Sequence, residues 1–178
     1  LMNYNVVPIN DDVFNIRFLS KTEARFAHFL NHLDIEFEYE METWELTLLN
    51  GQRLRYTPDF FIDSLDCFIE IKNNGKTIPT VLECAKAQAL ATTSGKNVYI
   101  WFGDVKYRER KKLCKNFENG NMFCYSPDGR FDVFHQFTMC PKCDRVAITK
   151  DGLVQYLPCG CSSGLLNISN MTAGKIIK

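Results

Sequence analysis

Alternation of apolar and polar positions is clearest across residues 57–72. Two runs rich in Phe and Ile flank the polar stretch Asp63-Ser64-Leu65-Asp66, the pattern of a β-hairpin. A two-residue turn centred on Ser64-Leu65 sets Ile62 opposite Cys67, Phe61 opposite Phe68 and Asp59 opposite Glu70. Side chains alternate between the faces of a strand. One face then carries Phe60, Ile62, Cys67, Ile69 and Ile71 and reads as core. The other carries Asp59, Phe61, Phe68, Glu70 and Lys72.

The same patterning predicts elements on both sides of this hairpin. Phe14, Ile16 and Phe18 alternate within a strand-bearing lead-in over 1–19. Ser20 and Glu23 form an S-x-x-E capping box that opens a helix reaching about Leu33, with Ala24, Ala27, Leu30 and Leu33 as its apolar stripe. Residues 36–40, 44–49 and 54–62 read as strands, the last two joined by the tight-turn pair Asn50-Gly51 into a meander with the hairpin. After Asn73-Asn74-Gly75, Pro79 suits the first turn of a helix over 81–92, which Gly95 ends. The apolar run 97–102 then returns as a crossover strand beside 67–72. The expected fold is a mixed-sheet α/β core of order α-β-β-β-α-β over residues 1–115. Beyond it, 120–137 reads as a hairpin around Ser126-Pro127-Asp128-Gly129 and 162–178 as a short helix or tail.

With 178 residues, 46% apolar and 13% aromatic, the chain has enough apolar surface for a core and is not wholly disordered. No apolar run approaches the roughly 18 residues that span a bilayer, and no signal-peptide pattern opens the chain, so the expectation is a cytoplasmic protein without a membrane partner. The net charge of zero hides an asymmetry: residues 1–75 hold 13 acidic and 6 basic side chains, and residues 76–178 hold 8 and 15. An acidic half suited to metal and a basic half suited to phosphates point to nucleic acid. The basic half is densest at Lys106, Arg108, Arg110, Lys111, Lys112 and Lys115, with Tyr107 among them. Such a run is either a solvated helix face or a surface for a phosphate backbone.

Two chemical constellations stand out. Directly opposed Cβ atoms on paired strands lie roughly 4.5–5.5 Å apart, where like charges are destabilising. Asp59 and Glu70 at that separation need a proton or a cation between them, and a hard divalent ion such as Mg²⁺ meets their oxygens. Lys72 beside them can hold a water or a phosphate oxygen. The alternative is a solvated strand face whose charges only discourage edge pairing; Phe61 and Phe68 on the same face argue against it. The second constellation is Cys140-Pro141-Lys142-Cys143 and Cys159-Gly160-Cys161, bracketing a hairpin around Lys150-Asp151-Gly152. Two such knuckles bring Cys140, Cys143, Cys159 and Cys161 to one structural Zn²⁺. A redox C-x-x-C lacks its βαβ context here and leaves the second pair unexplained. The other four cysteines read as core or surface residues.

Pro58-Asp59 followed by Glu70-Ile71-Lys72, with Glu23 on an upstream helix and the α-β-β-β-α-β order, resembles the PD-(D/E)XK nuclease superfamily. Ser20-Lys21-Thr22-Glu23-Ala24-Arg25-Phe26-Ala27, Tyr39-Glu40, Tyr56-Thr57-Pro58-Asp59-Phe60 and Phe102-Gly103-Asp104 are similar to small phage and prophage proteins of this type, which often end in a zinc-binding segment. The resemblance spans about residues 17–104 and, more loosely, the cysteine-bearing tail. It implies a restriction-endonuclease-like core over 1–115 and a zinc-ribbon-like β-hairpin segment with a tail over 116–178. It further implies a metal-dependent DNA endonuclease: Asp59, Glu70 and the Ile71 backbone carbonyl hold Mg²⁺ or Mn²⁺, while Lys72 orients or deprotonates the attacking water or neutralises developing charge. Glu23 reaches the metal or its waters from the helix, in competition with its capping role. Lys86 and Gln88 occupy the region of a further polar site residue, although helix surface describes each as well. A catalytically silent nucleic-acid-binding protein on the same scaffold, and a nuclease for RNA or branched junctions, are the alternatives.

The zinc reading has a direct check. Elemental analysis of the purified chain is expected to find one zinc per molecule, lost in Cys140→Ser and Cys159→Ser; a metal-free wild type rejects the four-cysteine site.

Overall fold

The computed structural model describes residues 7–72, 78–102, 121–139, 143, 145–150 and 166–167. Its fold is mixed α/β. The N-terminal hairpin pairs β1 (Ile9–Asp11) with β2 (Ile16–Phe18) and leads into α1 (Lys21–His32). Ser20 caps α1, its hydroxyl accepting the Glu23 N–H at 3.2 Å. The stripe read from the sequence is widened by Phe26 and Phe29, both fully buried.

The main sheet is built from β3 (Glu38–Tyr39), β6 (Phe60–Ile62), β7 (Cys67–Lys72), β8 (Asn97–Phe102), β9 (Asn121–Tyr125), β10 (Phe131–Met139), β11 (Val146–Lys150) and β12 (Leu166–Asn167). Their order is β11-β10-β9-β8-β7-β6-β3, with β12 also on β10. Among the described strands only β7 and β8 run parallel, Cys67 to Lys72 matching Asn97 to Phe102. They are joined through α2 (Val81–Ser94), as the crossover reading requires. The helix begins at Val81 as expected and runs two residues further than expected; Thr80 is the cap, with Pro79 just ahead of it, and forms a full capping box with Glu83, and Gly95 closes the helix at φ +72°. The sheet continues past residue 115, since β9 hydrogen-bonds to β8. The expected division between 1–115 and 116–178 is therefore not marked by a break in the sheet.

The central hairpin has the expected register, Phe60, Phe61 and Ile62 facing Ile69, Phe68 and Cys67. Its turn is longer than expected. Asp63–Leu65 make a 3₁₀ turn and Asp66 takes a left-handed conformation at φ +48°, which a short polar side chain tolerates. A four-residue loop preserves the pairing because it extends the expected turn by one residue on each side.

The expected meander is corrected. The single strand over 54–62 divides at Thr57-Pro58 into β5 (Arg53–Tyr56) and β6. Proline supplies no N–H to a ladder and constrains the residue before it. β5 pairs with β4 (Trp44–Thr47) as a separate two-stranded sheet, and the short edge strand β3 takes its place beside β6.

Layering follows from alternation. Phe60, Ile62, Cys67, Ile69, Ile71, Tyr99 and Trp101 pack with Phe18, Phe26, Phe29 and Leu30 on the α1 side. Phe61, Phe68, Val98, Ile100 and Phe102 pack with Leu46, Ala87, Leu90 and Ala91 under α2 and the β4–β5 hairpin. Both faces of the central hairpin are thus covered, and the solvated-face alternative falls. Phe68, 1% exposed and edge-on to Trp44, measures this. Phe68→Ala is expected to destabilise the fold by about 3–5 kcal/mol in urea titration, against about 0.5 kcal/mol or less for a solvated position.

Candidate active site

The β6–β7 hairpin and the break at Pro58 place Asp59 at the mouth of β6, with Glu70 and Lys72 on the α2 face of β7. Asp59, Glu70 and Glu23 are 9%, 5% and 7% exposed; with Thr22 they are the buried polar or charged side chains among the described residues. Burying carboxylates is costly without partners, so the partners define the site. Asp59 Oδ2 accepts the Ile71 N–H at 2.7 Å. Glu70 Oε1 pairs with the Lys72 ammonium. Glu70 Oε2 is buried with no hydrogen-bond partner.

Charge in the site is unbalanced. Burial, and then the Glu70 charge, push the Asp59 carboxyl well above its ordinary range, against the opposing pull of Lys72 and the Ile71 N–H. Burial acts to lower the Lys72 pKa, but the charges of Glu70 and Asp59 outweigh it and leave the pKa raised. Lys72 is therefore an ammonium ion at neutral pH. Glu23 is near enough for its charge to act on Asp59. Its oxygens, however, are held at the start of α1: Oε1 accepts from the Ser20 hydroxyl at 2.6 Å, and Oε2 from the Leu19 N–H at 3.1 Å and the Tyr39 hydroxyl. The return half of the expected capping box thus goes to Leu19. The structure brings Asp59, Glu70 and Lys72 together and sets Glu23 beside them, engaged with its own cap.

Three neighbours were absent from the expected site set. Tyr39 donates to Glu23 and accepts the Leu19 N–H at 2.9 Å. Glu40, left-handed at φ +46°, donates its N–H to the Asp59 carbonyl at 2.9 Å, and burial followed by the Glu23 and Glu70 charges raises its carboxyl pKa. The Tyr56 hydroxyl is pushed up by burial and then by Glu70, through its charge and a hydrogen bond to its carboxylate. All three stood in the motifs Tyr39-Glu40 and Tyr56-Thr57-Pro58-Asp59-Phe60, but no periodicity brings them to the site; the pairing of β3 with β6 and the end of β5 at Tyr56 do. Lys86 lies 5.6 Å from the Tyr56 ring centroid, at the border of the site. Gln88 does not reach it, because its amide donates to the Ser126 carbonyl at 2.9 Å and ties α2 to the β9–β10 turn.

Among the described residues no three His, Cys, Asp or Glu side chains are grouped to hold a metal. The set expected at the hairpin has only two side-chain ligands, completed by a backbone carbonyl. Lys106, Arg108, Arg110, Lys111, Lys112, Cys140, Cys159 and Cys161 lie outside the described residues, and Cys143 is exposed. Cys67 and Cys124 are core residues, and burial pushes the Cys67 thiol up to about 12. No described helix is long and apolar enough to cross a membrane. Comparison with family models, curated proteins and solved structures finds no match to this chain.

The raised Asp59 pKa has a signed consequence. The folded state binds this proton more tightly than the unfolded chain, so stability is lost as pH climbs from about 4, the ordinary carboxyl value, through the folded pKa. In chelator-treated protein, Asp59→Asn is expected to raise Tm at pH 8 by several degrees, with the advantage vanishing near pH 4. An equal Tm difference at both pH values contradicts a buried, ionisation-opposed carboxyl.

Proposed function

We propose that the chain is a divalent-metal-dependent endonuclease that hydrolyses phosphodiester bonds in DNA, of the PD-(D/E)XK kind and suited to phage-type DNA processing. The observation carrying this is the buried Glu70 Oε2, left without a partner beside a buried Asp59 whose ionisation its surroundings oppose. Two carboxylates in this condition fit a hard cation, which removes their mutual repulsion and completes the orphaned oxygen. Asp59, Glu70 and the Ile71 carbonyl are the proposed ligands for Mg²⁺ or Mn²⁺. When bound, such an ion supplies Lewis-acid polarisation of a phosphoryl oxygen and lowers the pKa of water.

The chain's own residues supply the rest. The Ile71 N–H holds the Asp59 carboxylate against β7, an interior strand of the sheet. Lys72 is an ammonium ion in the surroundings of Asp59 and Glu70, which favours neutralising charge on the phosphate over accepting a proton. Glu23 adds negative potential beside Asp59 from a locked position. Hydrolysis adds the water oxygen to phosphorus and releases one ester oxygen, which leaves with a proton. The proposed organisation keeps a restriction-endonuclease-like core in 1–115 and a zinc-binding segment in 116–178.

One observation favours a second reading. The Lys72–Glu70 ion pair partly neutralises the site without a metal, as a silent nucleic-acid-binding scaffold permits. A cleavage panel separates the two: single-stranded, duplex, flapped and four-way DNA plus RNA, each with Mg²⁺ or Mn²⁺. Wild type is expected to cut DNA only with metal, and Asp59→Ala, Glu70→Ala and Lys72→Ala to lower the rate by about 10²-fold or more while remaining folded. Robust cutting by all three variants, or binding without turnover, sinks the nuclease proposal; cutting confined to RNA reassigns the substrate.

A further inference from the structure

The β4–β5 hairpin has two unlike faces. Trp44, Leu46, Leu54 and Tyr56 point inward, where Leu46 is 1% exposed among the α2 residues. Glu45, Thr47, Arg53 and Arg55 are exposed on the outward face, with Arg53 across from Thr47 and Arg55 across from Glu45. A shallow groove of about 360 Å³ runs between these side chains. Neither arginine forms an ion pair among the described residues, although residues 1–75 carry 13 acids and Glu45 stands directly opposite Arg55. Two guanidinium groups without an ion pair among the described residues therefore stand on one exposed face of the ribbon.

Position strengthens the point. Residues two apart on a strand stand roughly 6.8 Å apart on the same face, within reach of neighbouring phosphates for side chains as long as arginine. The strand bearing them ends at Tyr56, whose hydroxyl feels the Glu70 charge, and the chain then turns through Pro58 into Asp59. The same ribbon thus carries the two arginines on its outer face and Tyr56, a neighbour of Glu70, on its inner one. Planar guanidinium groups match phosphate oxygens in a bidentate manner, and a two-stranded ribbon is narrow enough to lie in a DNA major groove.

We propose that the outward face of the β4–β5 hairpin is a nucleic-acid docking ribbon, on which Arg53 and Arg55 hold two phosphates of the substrate strand. This rests on the nuclease reading and adds to it a contact surface distinct from the basic segment over 106–115.

The test is fluorescence anisotropy with a labelled DNA duplex and single strand, in the Asp59→Asn background so that no cutting intervenes. Arg53→Gln/Arg55→Gln is expected to weaken binding by about tenfold or more and to reduce the slope of log K against log salt by about 1.8 on the duplex and about 1.4 on the single strand, the loss of two phosphate contacts. Arg17→Gln/Arg130→Gln, which removes the same charge elsewhere, is expected to leave the slope within about 0.5 of the parent. Glu45→Gln is expected to tighten binding. With the active-site residues restored, the Arg53/Arg55 variant is expected to raise KM and keep kcat. Unchanged slope and affinity in that variant, or an equal loss in the control pair, overturns the ribbon while metal-dependent cutting by wild type still stands. Absence of both cutting and binding by wild type removes the nuclease reading and the ribbon with it.

Discussion

Two carboxylates buried side by side are the constraint around which the central part of this molecule is arranged. Asp59 and Glu70 meet at the mouth of the β6–β7 hairpin under a covering of α2 and the β4–β5 ribbon. Like charges in such a position raise each other's cost of ionisation, and burial raises it further. A strand pair selected only for stability would place apolar side chains there, as Phe61 and Phe68 do one step along. Retaining both acids, with Lys72 as the adjacent ammonium group among the described residues, costs stability, which is in keeping with the proposed site.

The packing on either side shows how that site is held. Aromatic rings from β2, α1 and β6 interlock beneath it: Phe18, Phe26 and Phe60 meet at centroid distances between 5.1 and 6.4 Å. This layer stiffens the strands from which Asp59 and Glu70 project. At its edge Tyr39 stacks edge-on against Phe18 while its hydroxyl engages Glu23 and Leu19. One residue thereby joins the core to the start of α1. Glu70 and Lys72 project from β7, and Asp59, in the turn just before β6, is tied to the same strand through the Ile71 N–H, which helps keep reacting groups in place.

Legibility differed by residue. The Asp59–Glu70 pairing could be read because strand periodicity is two and the polar turn between the runs left one sensible register. The crossover was legible from a helix-compatible stretch between two apolar runs. The β4–β5 ribbon departs from the expected meander because the alternation of Leu54 to Thr57 and the apolar run Phe60 to Ile62 both suit a strand, and the division between them rests on Pro58, which has no N–H for a ladder. Tyr39, Glu40 and Tyr56 were not legible as site residues, since each reaches Asp59, Glu70 or Glu23 through the folding of a separate strand. The fate of Gln88 depended on a carbonyl 38 positions away.

The sequence by itself determined which residues pair across the central hairpin, which face is apolar, where both helices begin, and that two acids and a lysine share one side. These follow from local periodicity and capping chemistry, which act over a few residues. Only the tertiary structure decided that this second side is buried, because burial is set by what packs on it: α2 and a ribbon that leaves the main sheet. That covering turns an exposed charged strand face into a desolvated pair with one orphaned oxygen. It also leaves Arg53 and Arg55 on the outside of the same ribbon, facing away from the acids they might have neutralised.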